Sequence, residues 1–198
     1  MDSKIKIEGY HGTISSYKES IKKEGLDPEK TNKREDHWLG DGVYFFEKYK
    51  MAKWWGNTLA SKRTSNIYSI VYKTEIEVLK KNMLDLDISE DLDKFGDFSL
   101  ELDKELKKNK HLKFKSQHEI RGLFFNYYKI KNNIFVIMNT FEKEKTTYAK
   151  HRDKKDLSNQ IPLFKALGLS YKERQICVSN KKCIKNIEVI DEKEIEVI

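Results

Sequence analysis

Cysteine is scarce in this 198-residue chain, which holds only Cys177 and Cys183. No framework of disulfide bridges is implied, and free thiols in a reducing cytoplasm are the natural reading. Neither cysteine has a metal-ligand partner at useful spacing. The five histidines, His11, His37, His111, His118 and His151, also show no paired ligand spacing, so no metal site is expected. Two prolines and nine glycines exclude a low-complexity or linker-rich protein. A glycine-rich loop of the phosphate-cradling kind is missing too. No run is long and apolar enough to cross a bilayer. The opening Met1-Asp2-Ser3-Lys4-Ile5 lacks the apolar core of a secretory signal. Together these absences point to a cytoplasmic protein with no membrane partner, or one delivered without a classical signal.

What is abundant is aromatic and charged. Ten Phe, ten Tyr and three Trp sit in a chain that is 38% hydrophobic, enough for a single domain over residues 1–198 with a substantial core. The charged fraction is 36%, but the signs are mixed along most of the chain, which argues against wholesale disorder. The net charge is +7. A basic surplus suits a polyanionic partner such as nucleic acid. Lysine heavily outnumbers arginine, however, in a composition dominated by Lys, Ile and Asn, so the surplus is weak evidence for that partner.

The pattern predicts a strand over 4–10, with His11-Gly12-Thr13 at its end. Ser15 or Ser16 would cap a helix running to Glu24 and stopped by Gly25. A polar loop follows to His37. The glycine turn Gly40-Asp41-Gly42 introduces a short buried strand over 43–46, and a helix over 48–59 carries Met51, Trp54, Trp55 and Leu59 on one stripe. Residues 66–78 read as a strong strand, and 82–89 as strand or turn. An acidic amphipathic helix reaches Lys108, interrupted near Phe95-Gly96. A helix over 117–129 turns Ile120, Leu123, Phe124 and Tyr127 inward, and Asn132-Asn133 makes a turn. Strands follow over 134–141 and 173–178. Residues 183–190 would pair back on the last of these, with 192–198 as an edge segment. No repeat or domain boundary is visible. The result is a strand-rich α+β chain.

Residues 37–55 concentrate the chemistry. Alternation along the strand sends Tyr44 and Phe46 to one face and Val43 and Phe45 to the other. A Trp returns from the following helix toward Tyr44. Two flat aromatic walls would hold a planar ring by offset stacking. Periodicity alone favours a plain core role for these rings. Upstream stands a second stretch, Gly9-Tyr10-His11-Gly12-Thr13, followed by Glu24-Gly25-Leu26.

The ordered set resembles the ADP-ribosyltransferase fold of diphtheria toxin and the poly(ADP-ribose) polymerases, the class named for its His-Tyr-Glu triad. The toxin's first motif also reads Tyr-His-Gly-Thr. The polymerases' second motif, Gly-Lys-Gly-Ile-Tyr-Phe, is similar to Gly40–Phe45 here. The resemblance implies split antiparallel sheets with flanking helices and a cleft for NAD between them. It implies that His11 hydrogen-bonds the adenosine-side ribose and that Thr13 contacts the same ribose. The Gly12 backbone would grip the nicotinamide carboxamide. Tyr44 would stack on nicotinamide, with Trp54, or alternatively Trp55, as the second wall. A serine that binds the carboxamide in the polymerases is replaced by Met51. The loop before residue 37 would cover the dinucleotide, with Lys33 and Arg34 toward its phosphates.

The third motif departs from the family. The polymerases read Asn-Glu-Tyr-Ile-Val-Tyr-Asp, and the matching run here is Arg174–Asn180, so Gln175 falls on the catalytic Glu. Glu173 lies two residues earlier and leaves the same strand face. The chemistry breaks the bond between nicotinamide and ribose, and positive charge develops on the ribose as in glycoside hydrolysis. A carboxylate there stabilises that charge; Gln offers the hydrogen bond alone, at a cost of ~3 kcal/mol, or roughly a hundredfold in rate. Either Gln175 suffices or Glu173 supplies the charge.

In this superfamily the segment before the last catalytic strand often recognises the acceptor. That places Phe164, Lys165 and Tyr171 as substrate residues, an aromatic-plus-cation set that suits a nucleobase and its phosphates and equally an acidic protein surface. The expected activity is mono-ADP-ribosyl transfer from NAD to a macromolecule, RNA or DNA in preference to protein. A small bare catalytic domain of this kind looks like a bacterial or phage-defence toxin, and a toxin used in its own cell needs an antitoxin or a trigger. An NAD glycohydrolase, with water as acceptor, is the alternative. A non-catalytic module binding NAD or ADP-ribose, with Gln175 as a decayed residue, is the other.

Overall fold

The computed structural model describes residues 2–31, 37–63, 66–108, 116–143 and 171–193. It is an α+β structure in which one mixed sheet of seven strands carries four helices. The strands are β1 (Lys4–Ile14), β2 (Val43–Phe46), β3 (Ser69–Leu79), β4 (Met83–Asp85), β5 (Val136–Lys143), β6 (Tyr171–Val178) and β7 (Ile184–Lys193). The helices are α1 (Lys18–Glu24), α2 (Tyr49–Ala60), α3 (Ser89–Lys108) and α4 (Gln117–Asn132). The spatial order is β4-β5-β6-β2-β1-β3-β7. β4 and β5 run parallel; every other neighbouring pair is antiparallel.

The sheet has a waist. β1 pairs with β3 along its whole length, from Lys4 opposite Leu79 to Ile14 opposite Ser69. β5 and β6 pair from Val136 opposite Val178 to Lys143 opposite Tyr171. Between these two halves, β1 and β2 meet at a single register pair, Tyr10 opposite Phe46. Beyond that pair the strands part.

One correction concerns pairing. Residues 183–190 do not fold back on β6. β7 pairs with β3 at the far edge, while β6 lies between β5 and β2. The local turn is real, since Asn180 caps it by accepting from the Lys182 N–H at 3.0 Å, but it leads into a crossing rather than a hairpin. His11-Gly12-Thr13 also lies within β1, not beyond its end. Ser15 caps no helix: it exchanges hydrogen bonds with the Tyr68 backbone, and a short 3-10 turn over Ser15–Tyr17 precedes α1. Gly25 does stop α1, at φ 75°, with its N–H on the Ile21 carbonyl.

The helices differ in which face they bury. α2 sets Met51, Ala52, Gly56 and Ala60 against the sheet, leaving Trp54, Trp55 and Leu59 half-buried beside it. α3 runs unbroken through Gly96, where a Cβ would meet nothing within 4 Å. α4 is capped by Ser116 and ended by Asn133 in the left-handed region at φ 55°. Its inward face is Phe125, Tyr128 and Lys129, each 7% exposed, whereas Ile120, Leu123 and Tyr127 are 37–42% exposed. Its apolar residues spread over more than half of the helix circumference with polar ones among them, so periodicity could not fix its rotation. Aromatic packing does: Phe125 stacks on Phe95 of α3 at 4.5 Å, and Tyr128 meets Phe98 edge-on at 4.9 Å.

No described helix is long and apolar enough to cross a membrane.

Candidate active site

Where β1 and β2 part, a cavity of about 350 Å³ opens. That is within the usual range for a small-molecule site. Its walls bring together residues from three distant stretches: His11, Gly12 and Thr13; Tyr44, Trp54 and Trp55; Glu173 and Gln175. Every expected site residue whose side chain is described is therefore on one wall or another. Arg34, Phe164 and Lys165 lie outside the described residues, as does Lys33. Tyr171 is described only as the first residue of β6.

His11 stands at the parting of the strands. Its Nδ1 lies 2.8 Å from the Tyr44 carbonyl oxygen. A carbonyl only accepts, so Nδ1 carries the proton and bridges the gap that backbone pairing leaves. Nε2 is then the acceptor. Desolvation pulls the imidazole pKa below its ordinary value, outweighing the hydrogen bond to the Tyr44 carbonyl, so the ring stays neutral.

Tyr44 is fixed at its hydroxyl, which donates to the Gly40 carbonyl and accepts from the Leu39 N–H, both at 2.7 Å. Burial, with the Cys177 thiol beside it, pushes the phenol pKa far above its ordinary value, so it acts as a flat neutral wall and not as an acid. The imidazole of His37 stacks on the Tyr44 ring at 4.8 Å and 20°. Sequence reasoning gave His37 no role.

The Gly40-Asp41-Gly42 turn that positions Tyr44 is clamped by α4. Asn126 accepts from the Asp41 N–H at 2.8 Å and donates to its carboxylate at 3.0 Å. The buried Lys129 ammonium donates to the Asp41 carbonyl at 2.7 Å and to Cys177 Sγ at 3.4 Å. Gly40 sits at φ 78°, and a Cβ there would fall 2.5 Å from Asn126 Oδ1. A lysine on an otherwise apolar helix face was the available signal for this clamp. Burial raises the thiol pKa of both Cys177 and Cys183, which makes them inert structural groups.

Gly12 also meets a packing demand. A Cβ on it would fall 1.8 Å from the Ala52 carbonyl oxygen. The space that its missing side chain leaves is taken by α2, while Gly12 still lines the cavity. The helix thereby lies close on β1 and delivers Trp54 and Trp55 to the cavity, with their rings 6.0 Å apart.

On β6, Glu173 and Gln175 share the cavity face, and Gln175 Nε2 donates to Glu173 Oε1 at 2.7 Å. Arg174 points to the opposite face, where it pairs with Asp85 at 2.5 Å. Glu173 is 4% exposed, so a carboxylate is buried where the cavity meets β6. The cavity also reaches α1 and the turn after it, with Glu24, Asp27 and Lys30 on its wall. Trp38 lines it as well, a residue the sequence reading assigned no part. Among the described residues no group of three or more His, Cys, Asp or Glu side chains is placed to hold a metal ion.

The chain matches no protein-family model, no curated protein and no solved structure.

Proposed function

We propose that the protein is an NAD-dependent mono-ADP-ribosyltransferase acting on a macromolecule. One observation carries the reading: motifs spread over more than a hundred residues in the order His-Gly-Thr, Tyr, Trp and Glu-x-Gln converge on one cavity. The near-division of the sheet at the Tyr10–Phe46 pair supports the split-sheet arrangement expected of an ADP-ribosyltransferase-like fold.

In this reading the nicotinamide ring lies between Tyr44 and the α2 tryptophans. His11 Nε2 accepts from a hydroxyl of the adenosine ribose. Glu173 supplies the negative charge at the nicotinamide ribose. Gln175, hydrogen-bonded to it, positions the carboxylate and offers its amide to the ribose hydroxyl. The bond from ribose C1′ to the nicotinamide nitrogen breaks, and the electron pair leaves with nicotinamide. Glu173 stabilises the resulting oxocarbenium ion from a buried site, where such a contact is stronger than in water. A toxin role, with an antitoxin protein as its partner, is carried over by analogy with the resembled toxins.

The test uses NAD labelled in the adenylate phosphate, incubated with the protein and total RNA, DNA or cell protein. Label on a polymer together with free nicotinamide is the expected result. Free ADP-ribose alone would point to a glycohydrolase. Glu173→Gln should lower nicotinamide release by about a hundredfold, and Gln175→Ala by less. Undiminished release in both variants would remove β6 from the site.

A further inference from the structure

Resting on that transferase reading, the acceptor can be sought on the rim of the same cavity. Trp38 lines the cavity with Glu173 and Gln175. Phe141 lies directly opposite Glu173 in the β5–β6 register and meets the Trp38 ring edge-on at 4.7 Å. Trp38 is therefore beside the carboxylate at which an attacking group must arrive. Over the same indole, at 5.2 Å, stands the Arg121 guanidinium of α4. Arg121 is half-buried and does not itself line the cavity, so it meets the site through Trp38. Among the described residues it makes no ion pair with a carboxylate.

We propose that Trp38, Arg121 and Phe141 form the acceptor platform, and that the acceptor is a single-stranded nucleic acid. A base stacks on Trp38 and Arg121 holds the adjoining phosphate. An indole on the cavity wall, with a guanidinium over its ring that pairs with no carboxylate among the described residues, brings an aromatic surface and a bidentate cation together, the two contacts a nucleotide needs. A protein carboxylate would engage the arginine and leave the indole unused. The sequence-based platform at Phe164, Lys165 and Tyr171 is not required for this. In the transfer step a base nitrogen bearing hydrogen donates its lone pair to ribose C1′. The C1′–nicotinamide bond breaks with its pair going to nicotinamide, and the nitrogen's proton passes by way of the Glu173 carboxylate to solvent.

Binding of a fluorescein-labelled single-stranded oligonucleotide of mixed sequence, RNA or DNA, is measured by anisotropy over a salt series without NAD. Arg121→Gln should weaken binding about tenfold and flatten the salt slope by about 0.7, the value for one lost phosphate contact on a single strand. Trp38→Ala should weaken it roughly fivefold to a hundredfold, the range for one lost base stack. Thermal melts establish that each variant is folded, and Arg121→Gln carries the test if Trp38→Ala is not. Label transfer from NAD to the same oligonucleotide should fall in parallel, while the KM for NAD of Arg121→Gln stays unchanged. Unchanged binding in Arg121→Gln overturns the platform. Label found on protein alone overturns the nucleic acid but leaves the transferase. Absence of any nicotinamide release overturns the transferase reading, and the anisotropy series still decides whether the rim binds nucleic acid.

Discussion

His11 shows how one side chain links strand geometry to the chemistry of the cavity wall. With Nδ1 committed to the Tyr44 carbonyl, its only outward group is an acceptor, and burial keeps the ring neutral. The folded-state pKa is thus depressed below the ordinary 6.5. As pH falls through that value the unfolded chain takes up a proton before the folded one does. The stability due to neutral His11 is complete above about pH 7 and is lost as pH drops from 6.5 through the folded pKa. A non-titrating variant, His11→Asn, keeps a donor for the carbonyl and lacks this dependence. Thermal midpoints of the two proteins should run parallel above pH 7 and diverge below pH 6, the wild type falling further, by about 2–4 °C per kcal/mol lost. Parallel curves throughout would mean that His11 titrates freely.

At the scale of elements, α2 and β1 act as one unit because both are small where they touch. Ala52 and Gly56 of the helix meet Gly12 and Thr13 of the strand, backbone to backbone. Gly12→Ala forces a Cβ to within 1.8 Å of a carbonyl oxygen that belongs to the helix backbone and cannot rotate aside. Overpacking of this kind costs about 1–3 kcal/mol and here should reach or exceed the upper figure. The expected outcome is a urea midpoint well below wild type, or no soluble protein, with weakened NAD binding in whatever folds. A stable, active Gly12→Ala would show that α2 can lift off the strand. This contact also marks what was legible. Glycine in His-Gly-Thr and the aromatic stripe of α2 were visible as motifs, and both reach the cavity. That the small stripe Ala52-Gly56-Ala60 faces the sheet while the tryptophans face the cavity was not, since period-3.6 spacing allows either stripe to be the inner one. The same ambiguity hid the true inner face of α4, whose Asn126 and Lys129 are chosen by the turn they clamp.

For the whole molecule, local signals located most elements but could not assign long-range partners. Turn chemistry at Asn180 suggested a hairpin, yet β6 already has β5 and β2 as neighbours, so β7 has no free edge to join there and crosses to β3. That crossing leaves the two halves of the sheet joined through the single β1–β2 register pair. His11, Thr13, Trp54 and Trp55 belong to one half, while Glu173 and Gln175 belong to the other. A dinucleotide spanning the cavity would tie the halves together where backbone pairing is thinnest. Ligand at a hundred times its dissociation constant stabilises the folded state by about 2.7 kcal/mol, which for a chain of this length is roughly 5–11 °C in thermal midpoint. Glu173→Gln, which should bind NAD without consuming it, suits the measurement. NAD should produce that shift, with new amide protection at Tyr10–Thr13 and Val43–Phe46. NADP should not, because its 2′-phosphate brings negative charge and no donor to the acceptor nitrogen of His11. Equal shifts from both dinucleotides would place the adenosine ribose away from His11. Protection confined to one half of the sheet would mean that the ligand does not cross the waist.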